Sequence, residues 1–322
     1  MRILVTGGAG FIGSHVCEYL LKDGHRVSIL DDLNDFYPRA MKIQNLMELR
    51  SAATFYHGDI CNQQIVERIF EQELPEAVIH LAARAGVRPS IQQPMLYERV
   101  NVAGTTLLLE IARQFDVQKF VFASSSSIYG VADRVPFSED DTQNLPISPY
   151  AATKIAGEKI CYTYSHLYKL KTVCLRLFTV YGPRQRPDLA IRKFADMIQK
   201  GQPIPVFGDG TSSRDYTFID DIVGGIVAAL HHDSRFDIFN LGNSQPVQLR
   251  TLIKSLELNL GSRATLVHEP AQPGDVPITF ADISKARRLL GYKPQTPFDE
   301  GIEKFVEWQL ATSRAGVRHA WA

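Results

Sequence analysis

The stretch Ile3-Leu4-Val5-Thr6-Gly7-Gly8-Ala9-Gly10-Phe11-Ile12-Gly13 decides the fold that we expect. Its short apolar run is typical of a strand buried in a parallel sheet, and a helical pattern begins directly after it at Ser14. Glycines at positions 7, 10 and 13 let the backbone turn tightly and approach a pyrophosphate at the amino end of that helix. The stretch therefore predicts a dinucleotide-binding turn in an α/β fold.

The next two predicted strands end in acidic residues. The strand from Arg26 to Leu30 runs into Asp31-Asp32, which suits bonding to the hydroxyls of an adenosine ribose. An acidic residue there also favours NAD over NADP, because it would repel the extra phosphate of NADP. The following strand runs into Gly58-Asp59-Ile60, where Asp59 either bonds an adenine amino group or caps the helix at 62–73.

Two further strands complete the predicted nucleotide half. Ala77–Ala83 ends in small residues that can lie against a flat cofactor, and Phe120–Ala123 delivers the serines at 124–127. Ligands bind at such carboxyl ends in open parallel sheets. We predict a Rossmann-like doubly wound parallel sheet with a smaller C-terminal α/β substrate lobe. The predicted NAD-binding domain spans 1–180 plus about 213–241, and the predicted nucleotide-sugar lobe spans 181–212 and 242–313.

Tyr150 and Lys154 stand four residues apart, so they share one face of a helix. A cation beside a phenol favours the phenolate, which makes the tyrosine a candidate base near neutral pH. By itself this spacing is also typical of ordinary surface and core positions. The cofactor signals and the serine run upstream favour the catalytic interpretation.

Composition argues against several other classes of protein. The 322 residues carry 35 basic and 35 acidic side chains, so the net charge gives no footprint of nucleic acid or membrane binding. The four cysteines lack metal-ligand spacing, so we expect neither disulfides nor a metal site. The N-terminus enters a strand without a signal peptide, and no apolar run is long enough to span a membrane. We therefore expect a cytoplasmic protein.

Taken together, these motifs resemble those of the extended short-chain dehydrogenase/reductases, in particular their nucleotide-sugar epimerase branch. The resemblance spans residues 1 to about 308 and includes Tyr181-Gly182-Pro183 and Arg214–Asp221. It implies that Tyr150 is the catalytic base, that Ser125 assists it, and that Lys154 holds the nicotinamide ribose and lowers the pKa of the tyrosine. The implied NAD contacts are Gly7, Gly10, Phe11, Ile12, Gly13, Asp31, Asp32, Asn34, Asp59, Ile60, Leu81, Ala82, Ala83, Asn101, Tyr150, Lys154 and Phe178.

The residues after Ser125 narrow the choice of reaction. Nucleotide-sugar 4,6-dehydratases carry Asp-Glu there and UDP-glucuronate decarboxylases carry Glu, whereas this chain has Ser126-Ser127. The chain resembles the UDP-glucuronate 4-epimerases at three places, which are Thr179, Arg186 and the upstream Ala85-Gly86-Val87-Arg88. One departure is Arg184-Gln185, where those enzymes usually show Trp-Gly.

The resemblance also implies substrate contacts. Hydroxyls and a guanidinium suit a sugar carboxylate, which gives Ser127, Thr179 and Arg186 as candidates. Ser125 and Ser126 are further candidate substrate contacts. Val206, Phe207 and Arg214 would hold the uracil and diphosphate, with Arg88 as a second phosphate ligand and Gly274-Asp275 in the last substrate motif. Alternatives remain, because Arg186 could be a solvated loop residue and Arg214 could pair with Asp215 or Asp220.

The expected activity is NAD-dependent 4-epimerisation of a UDP-sugar through a transient 4-keto intermediate, with UDP-glucuronate and UDP-galacturonate as the favoured pair. The alternatives are a 4-epimerase for neutral UDP-hexoses, a decarboxylase, and a catalytically silent NAD-binding protein.

Helices at 101–115 and 150–168 carry apolar residues on more than one face. The resemblance favours a homodimer through a four-helix bundle, and burial under the C-terminal lobe is the competing interpretation.

Overall fold

The computed structural model describes residues 1–131, 134–141, 145–270 and 278–319. Gly274-Asp275 lies outside these residues. Seven strands form one large sheet, namely β1 (Arg2–Thr6), β2 (Arg26–Asp31), β3 (Ala53–His57), β4 (Ala77–His80), β5 (Lys119–Ser125), β6 (Lys171–Leu177) and β10 (Phe236–Leu241). Their order in the sheet is β10-β6-β5-β4-β1-β2-β3, and every neighbouring pair is parallel.

Helices cover the large sheet and fill the second lobe. The helices are α1 (Phe11–Lys22), α2 (Arg39–Met47), α3 (Gln63–Glu73), α4 (Val87–Gln92), α5 (Pro94–Tyr97), α6 (Gly104–Gln114), α7 (Pro149–Tyr168), α8 (Ala190–Gln199), α9 (Ile219–His231), α10 (Leu249–Leu260), α11 (Ser284–Leu290) and α12 (Phe298–His319). None of them, within the described residues, is long and apolar enough to cross a membrane.

Alternating residues of each strand enter two separate cores. Ile3 and Val5 join one apolar cluster, whereas Leu4 between them joins the other. A strand that buries both faces reads as a continuous apolar run, which is the pattern seen in the sequence. The structure therefore confirms the doubly wound parallel sheet.

The remaining strands build the smaller α/β lobe. β9 (Ser213–Phe218) pairs with β7 (Thr179–Tyr181), β11 (Pro246–Gln248) and β13 (Ile278–Thr279), and β8 (Ile204–Phe207) pairs with β12 (Leu266–Glu269). By strand pairing, β9 belongs to this lobe, although the sequence division gave residues from about 213 to the nucleotide half. α9 and β10 return to the large sheet, because α9 packs on α1 and β10 pairs with β6.

Two local signals position the helix that carries Tyr150. Ser148 caps α7, since its side chain accepts a hydrogen bond from the Ala151 N–H at 3.2 Å, and Pro149 occupies the first turn.

The helix predicted to open at Asn101 differs from expectation. Glu98–Ala103 forms a π-helical turn ahead of α6, so Asn101 does not cap that helix.

A buried ion pair fixes α7 against the sheet. Glu158 on α7 accepts two hydrogen bonds from Arg176 on β6, both at 3.0 Å, and each side chain is at most 3% exposed. The Ser124 hydroxyl donates to Glu158 and the Arg176 guanidinium donates to the Tyr129 hydroxyl. The pair thereby ties the helix of Tyr150 to the strand end that carries Ser125.

Replacing Glu158 with methionine should destabilise the protein by about 3–5 kcal/mol, because Arg176 would keep a buried charge without its partner. The double change Glu158→Met/Arg176→Met removes both charges and should cost less than the single one. Urea unfolding of the two variants measures the difference. A double variant that loses at least as much stability as the single one would contradict this account.

Candidate active site

A cavity of about 470 Å³ opens at the carboxyl edge of the large sheet. It lies where the strand order reverses, with β1 on one side and β4 on the other, which is where open α/β sheets bind ligands. The predicted site residues that line it are Gly7, Gly10, Phe11, Ile12, Gly13, Asp31, Asp32, Asn34, Asp59, Ile60, Leu81, Ala82, Ala83, Ser125, Ser126, Ser127, Tyr150, Lys154, Phe178, Thr179 and Arg186.

The glycine turn leaves no room for side chains. Gly7 has a φ of +73°, and a β-carbon there would lie 2.7 Å from the Ala82 nitrogen. A β-carbon on Gly13 would clash with the Gly7 oxygen. α1 begins at Phe11 without a side-chain cap from Gly10, so its first N–H groups remain for a ligand at the cavity wall. This cradle fits the pyrophosphate of a dinucleotide.

The acidic residues at the end of β2 are held in place by neighbours. Asp31 accepts hydrogen bonds from the backbone N–H groups of Ala9 and Leu33, at 3.1 and 2.9 Å. The Lys42 ammonium lies 3.8 Å from Asp31, and Arg84 donates to Asp32 at 3.1 Å. Both cations line the cavity, and sequence reasoning missed them.

Asp59 does not cap α3, which was one of its two expected roles. Asn62 caps that helix by accepting from the Ile65 N–H, whereas Asp59 accepts from the Cys61 N–H at 2.9 Å. Asp59 lies in the cavity wall, where an adenine contact remains a prediction.

A chain of hydroxyls leads to Tyr150. The Ser127 hydroxyl donates to the Ser125 hydroxyl at 2.9 Å, and Ser125 lies beside the Tyr150 phenol in the cavity wall. Burial raises the pKa of Tyr150, while the Ser125 hydroxyl and the charge of Arg186 lower it. Tyr97, which the sequence did not mark, packs edge-on against the Tyr150 ring at 6.2 Å.

Lys154 lies beside the end of β5 and the Tyr150 ring. Its ammonium donates to the Ala123 carbonyl at 2.6 Å and lies 6.0 Å from the centre of the Tyr150 ring. Burial lowers the pKa of Lys154 to about 8. The expected hold of Lys154 on the nicotinamide ribose and its effect on the pKa of Tyr150 remain predictions.

Arg186 is a fixed residue of the cavity rather than a solvated loop residue. Its side chain is 19% exposed, and its Nε and Nη2 donate to the two oxygens of Asp188 at 3.0 and 2.7 Å. The guanidinium also lies over the Phe36 ring, 5.3 Å from its centroid. Asp188 takes the Nε–Nη2 edge of the fork, so the Nη1–Nη2 edge is the one that can take a second carboxylate.

Five predicted site residues do not line this cavity. Asn101 instead supports the cavity wall, since its side chain accepts from the Arg84 N–H at 2.8 Å and donates to the Arg84 carbonyl. Arg88 lies over the Phe207 ring at 5.9 Å, where α4 meets the end of β8. Val206 is buried and lines a second cavity of about 250 Å³.

Arg214 is the fifth of these residues. Its Nη1 donates to the Ser213 carbonyl at 2.9 Å. The carboxylate of Asp215, its expected alternative partner, accepts instead from the backbone N–H groups of Asn243, Ser244 and Ala281. The substrate roles of Arg88, Val206, Phe207 and Arg214 remain predictions.

Comparison with known proteins assigns the chain to a family. The family model described as GDP-mannose 4,6 dehydratase matches residues 4–305. A UDP-glucuronate 4-epimerase of Thermodesulfobacterium geofontis is 46% identical and is matched over 95% of each chain. The chain belongs to the nucleotide-sugar epimerase branch of the extended short-chain dehydrogenase/reductases.

Solved structures of this family superpose closely on the chain. A Bacillus cereus UDP-glucuronic acid 4-epimerase in complex with UDP-glucuronic acid and NAD gives a TM-score of 0.90 at 36% identity, over 97% of this chain and 100% of that one. A Thermotoga maritima UDP-glucose 4-epimerase with UDP-glucose gives a TM-score of 0.90 at 35% identity with the same coverage.

Gly13→Ala should lower the NAD content of the purified protein, because its β-carbon would meet the Gly7 oxygen and displace the turn. Gly224→Ala is the matched control, since Gly224 lies in α9 with nothing within 4 Å of the added carbon. The control should keep its NAD and its stability. Equal NAD content in both variants, measured in the acid-released fraction, would contradict the assignment of the turn.

Proposed function

We propose that the protein is an NAD-dependent 4-epimerase that interconverts UDP-glucuronate and UDP-galacturonate. The observation that carries this assignment is the position of Arg186. Its guanidinium lies in the same cavity as Tyr150 and Thr179, where it can hold a sugar carboxylate while carbon 4 faces the phenol.

The cavity residues can move the proton that the reaction requires. Tyr150 accepts the proton of the sugar 4-hydroxyl, and the Ser125–Ser127 hydroxyl chain stabilises the phenolate by donating towards it. NAD would be held by the glycine turn and the acidic residues at the end of β2, and it would supply the hydride acceptor for carbon 4. Return of the hydride to the opposite face requires the 4-keto sugar to turn, and Tyr150 then gives its proton back to the oxygen on carbon 4.

The same cavity protects the intermediate. A 4-keto sugar with a carboxylate on carbon 5 is a β-keto acid, which readily loses carbon dioxide. Decarboxylation needs the carboxylate to leave its hydrogen-bonding partners, so a firm grip by Arg186, Thr179 and Ser127 opposes it. Positions 126 and 127 also lack the acidic groups of the dehydratases and decarboxylases that share this fold.

A 4-epimerase for neutral UDP-hexoses is the second candidate. The Asp188 carboxylate pairs with Arg186, so a sugar without a carboxylate would not meet an unpaired charge. The similar Thermotoga maritima enzyme is described as a UDP-glucose 4-epimerase, which keeps this candidate relevant.

Incubation of the purified protein with UDP-glucuronate and no added cofactor tests the proposal. We expect UDP-galacturonate to form without net NADH, because tightly held NAD is reduced and reoxidised within each turnover. Formation of UDP-pentose and carbon dioxide would instead indicate a decarboxylase. No change with either UDP-glucuronate or UDP-glucose would contradict an epimerase.

Arg186→Leu separates the two substrate classes within the same assay. This variant should lose UDP-glucuronate turnover, while any turnover of UDP-glucose should fall less, because a neutral sugar loses only the effect of the Arg186 charge on Tyr150. Uronate turnover equal to that of the wild type would overturn the role of Arg186.

Asp188→Ala should raise the KM for UDP-glucuronate about tenfold, which corresponds to the free energy of one lost charge-assisted hydrogen bond. The physical reason is that Asp188 holds the guanidinium plane so that its other edge stays ready for the substrate. Asp188→Asn keeps an acceptor for Arg186 and should show a smaller rise. An unchanged KM in Asp188→Ala would show that Phe36 alone orients Arg186.

We further propose a homodimer through α6 and α7, in the cytoplasm. In support, α6 and α7 lie side by side, with Leu107 and Ile160 half-buried and Tyr162 51% exposed. Two helices from each copy would make a four-helix bundle and cover these apolar groups. The four cysteines are unpaired, which fits a reducing compartment.

Sedimentation velocity tests the dimer. The wild type should sediment as two 36.1 kDa chains, and Leu107→Lys should sediment as one, because a lysine cannot be covered in a bundle core. Leu258→Lys is the control, since Leu258 is 81% exposed on α10, and it should leave the dimer intact. A monomeric wild type would refute the interface.

A further inference from the structure

Three side chains with metal-binding atoms converge on the far side of the large sheet from the cavity. Asp23 follows α1, His25 precedes β2, and His231 ends α9. Each offers one ligand atom, and these atoms all lie within 4.8 Å of one another. None of the three belongs to the cavity of Tyr150, which opens at the carboxyl ends of the strands.

The distances between these ligand atoms are close to those between the ligand atoms of a bound transition metal. The Asp23 Oδ2 and His25 Nε2 atoms lie 3.1 Å apart, and the two imidazole rings are 6.1 Å apart between centroids. A tetrahedral zinc ion with bonds of about 2.1 Å spaces its ligand atoms about 3.4 Å apart. Small rotations of the exposed Asp23 and His231 side chains are enough to reach that spacing, since neither is packed in the core.

The buried nitrogen of His25 marks the point at which the three side chains meet. His25 is 11% exposed, and its Nε2 is enclosed by protein without a hydrogen-bond partner among the described residues. The Asp23 Oδ2 lies 3.1 Å from this nitrogen, so a metal ion could be shared by the two atoms. Buried polar atoms normally have partners, so this one calls for an explanation.

The two ring nitrogens of His25 have different neighbours. Nδ1 lies 3.2 Å from the Met1 α-amino nitrogen, and Nε2 lies 3.1 Å from Asp23 Oδ2. A histidine that binds metal through Nε2 keeps its ring proton on Nδ1, so the Met1 nitrogen would have to accept that proton in the bound state.

From this geometry we propose a zinc-binding site formed by Asp23, His25 and His231, with water as the fourth ligand. Two imidazoles and one carboxylate suit zinc and its borderline neighbours, whereas magnesium and calcium prefer oxygen ligands alone. The bound ion would clamp the end of α1 to the end of α9, two helices that already pack together. The site is structural and takes no part in the proposed epimerisation.

Zinc titration of the protein without a histidine tag, after treatment with a chelator, tests this proposal. Competition with a chromophoric chelator should show one equivalent bound, and the midpoint of thermal unfolding should rise by a few degrees, since zinc binds the folded state. Replacing zinc with Co²⁺ should give the visible absorption of a four-coordinate ion.

Asp23→Asn and His231→Gln should each weaken the zinc affinity at least about tenfold, since a site with three protein ligands loses one of them. Both residues are exposed, so both variants should fold, and epimerase activity should be unchanged. His268→Gln replaces another exposed histidine and should bind zinc as the wild type does. Failure of the wild type to bind zinc at 100-fold molar excess, or equal affinity in His231→Gln, would overturn the proposal.

Discussion

The alignment of parallel strands is the constraint on which the site depends. Because β1, β2, β4, β5 and β6 all run in one direction, their last residues meet at one edge of the sheet. That edge gathers the glycine turn, the acidic residues at the end of β2, and the serines at the end of β5 into one cavity. Side chains far apart in sequence thereby become neighbours, with no need for a long ordered loop.

Tyr150 shows how burial and charge oppose each other in this cavity. Burial favours the neutral phenol, whereas Ser125 and Arg186 favour the phenolate. The Arg186 charge therefore acts on Tyr150 across the cavity, in addition to the carboxylate contact that we propose for it.

Much of this organisation could be predicted from the sequence. The apolar strands, the glycine turn at 7–13 and the Tyr150–Lys154 spacing are local patterns, so they predicted the sheet and the residues at its edge. Lys42 gave no signal, because a lysine on a short amphipathic helix usually faces solvent, yet its side chain is buried beside Asp31. The orientation of Lys154 towards Ala123 also depends on tertiary contacts that spacing along a helix cannot show.

The fate of the hydrogen on carbon 4 tests the central claim most directly. With UDP-glucuronate that carries deuterium on carbon 4, the account predicts UDP-galacturonate that keeps the deuterium on the same carbon, because the hydride leaves and returns within one cavity. Mass spectrometry and proton NMR of the product measure this. Loss of the deuterium to water during epimerisation would contradict a redox mechanism at carbon 4.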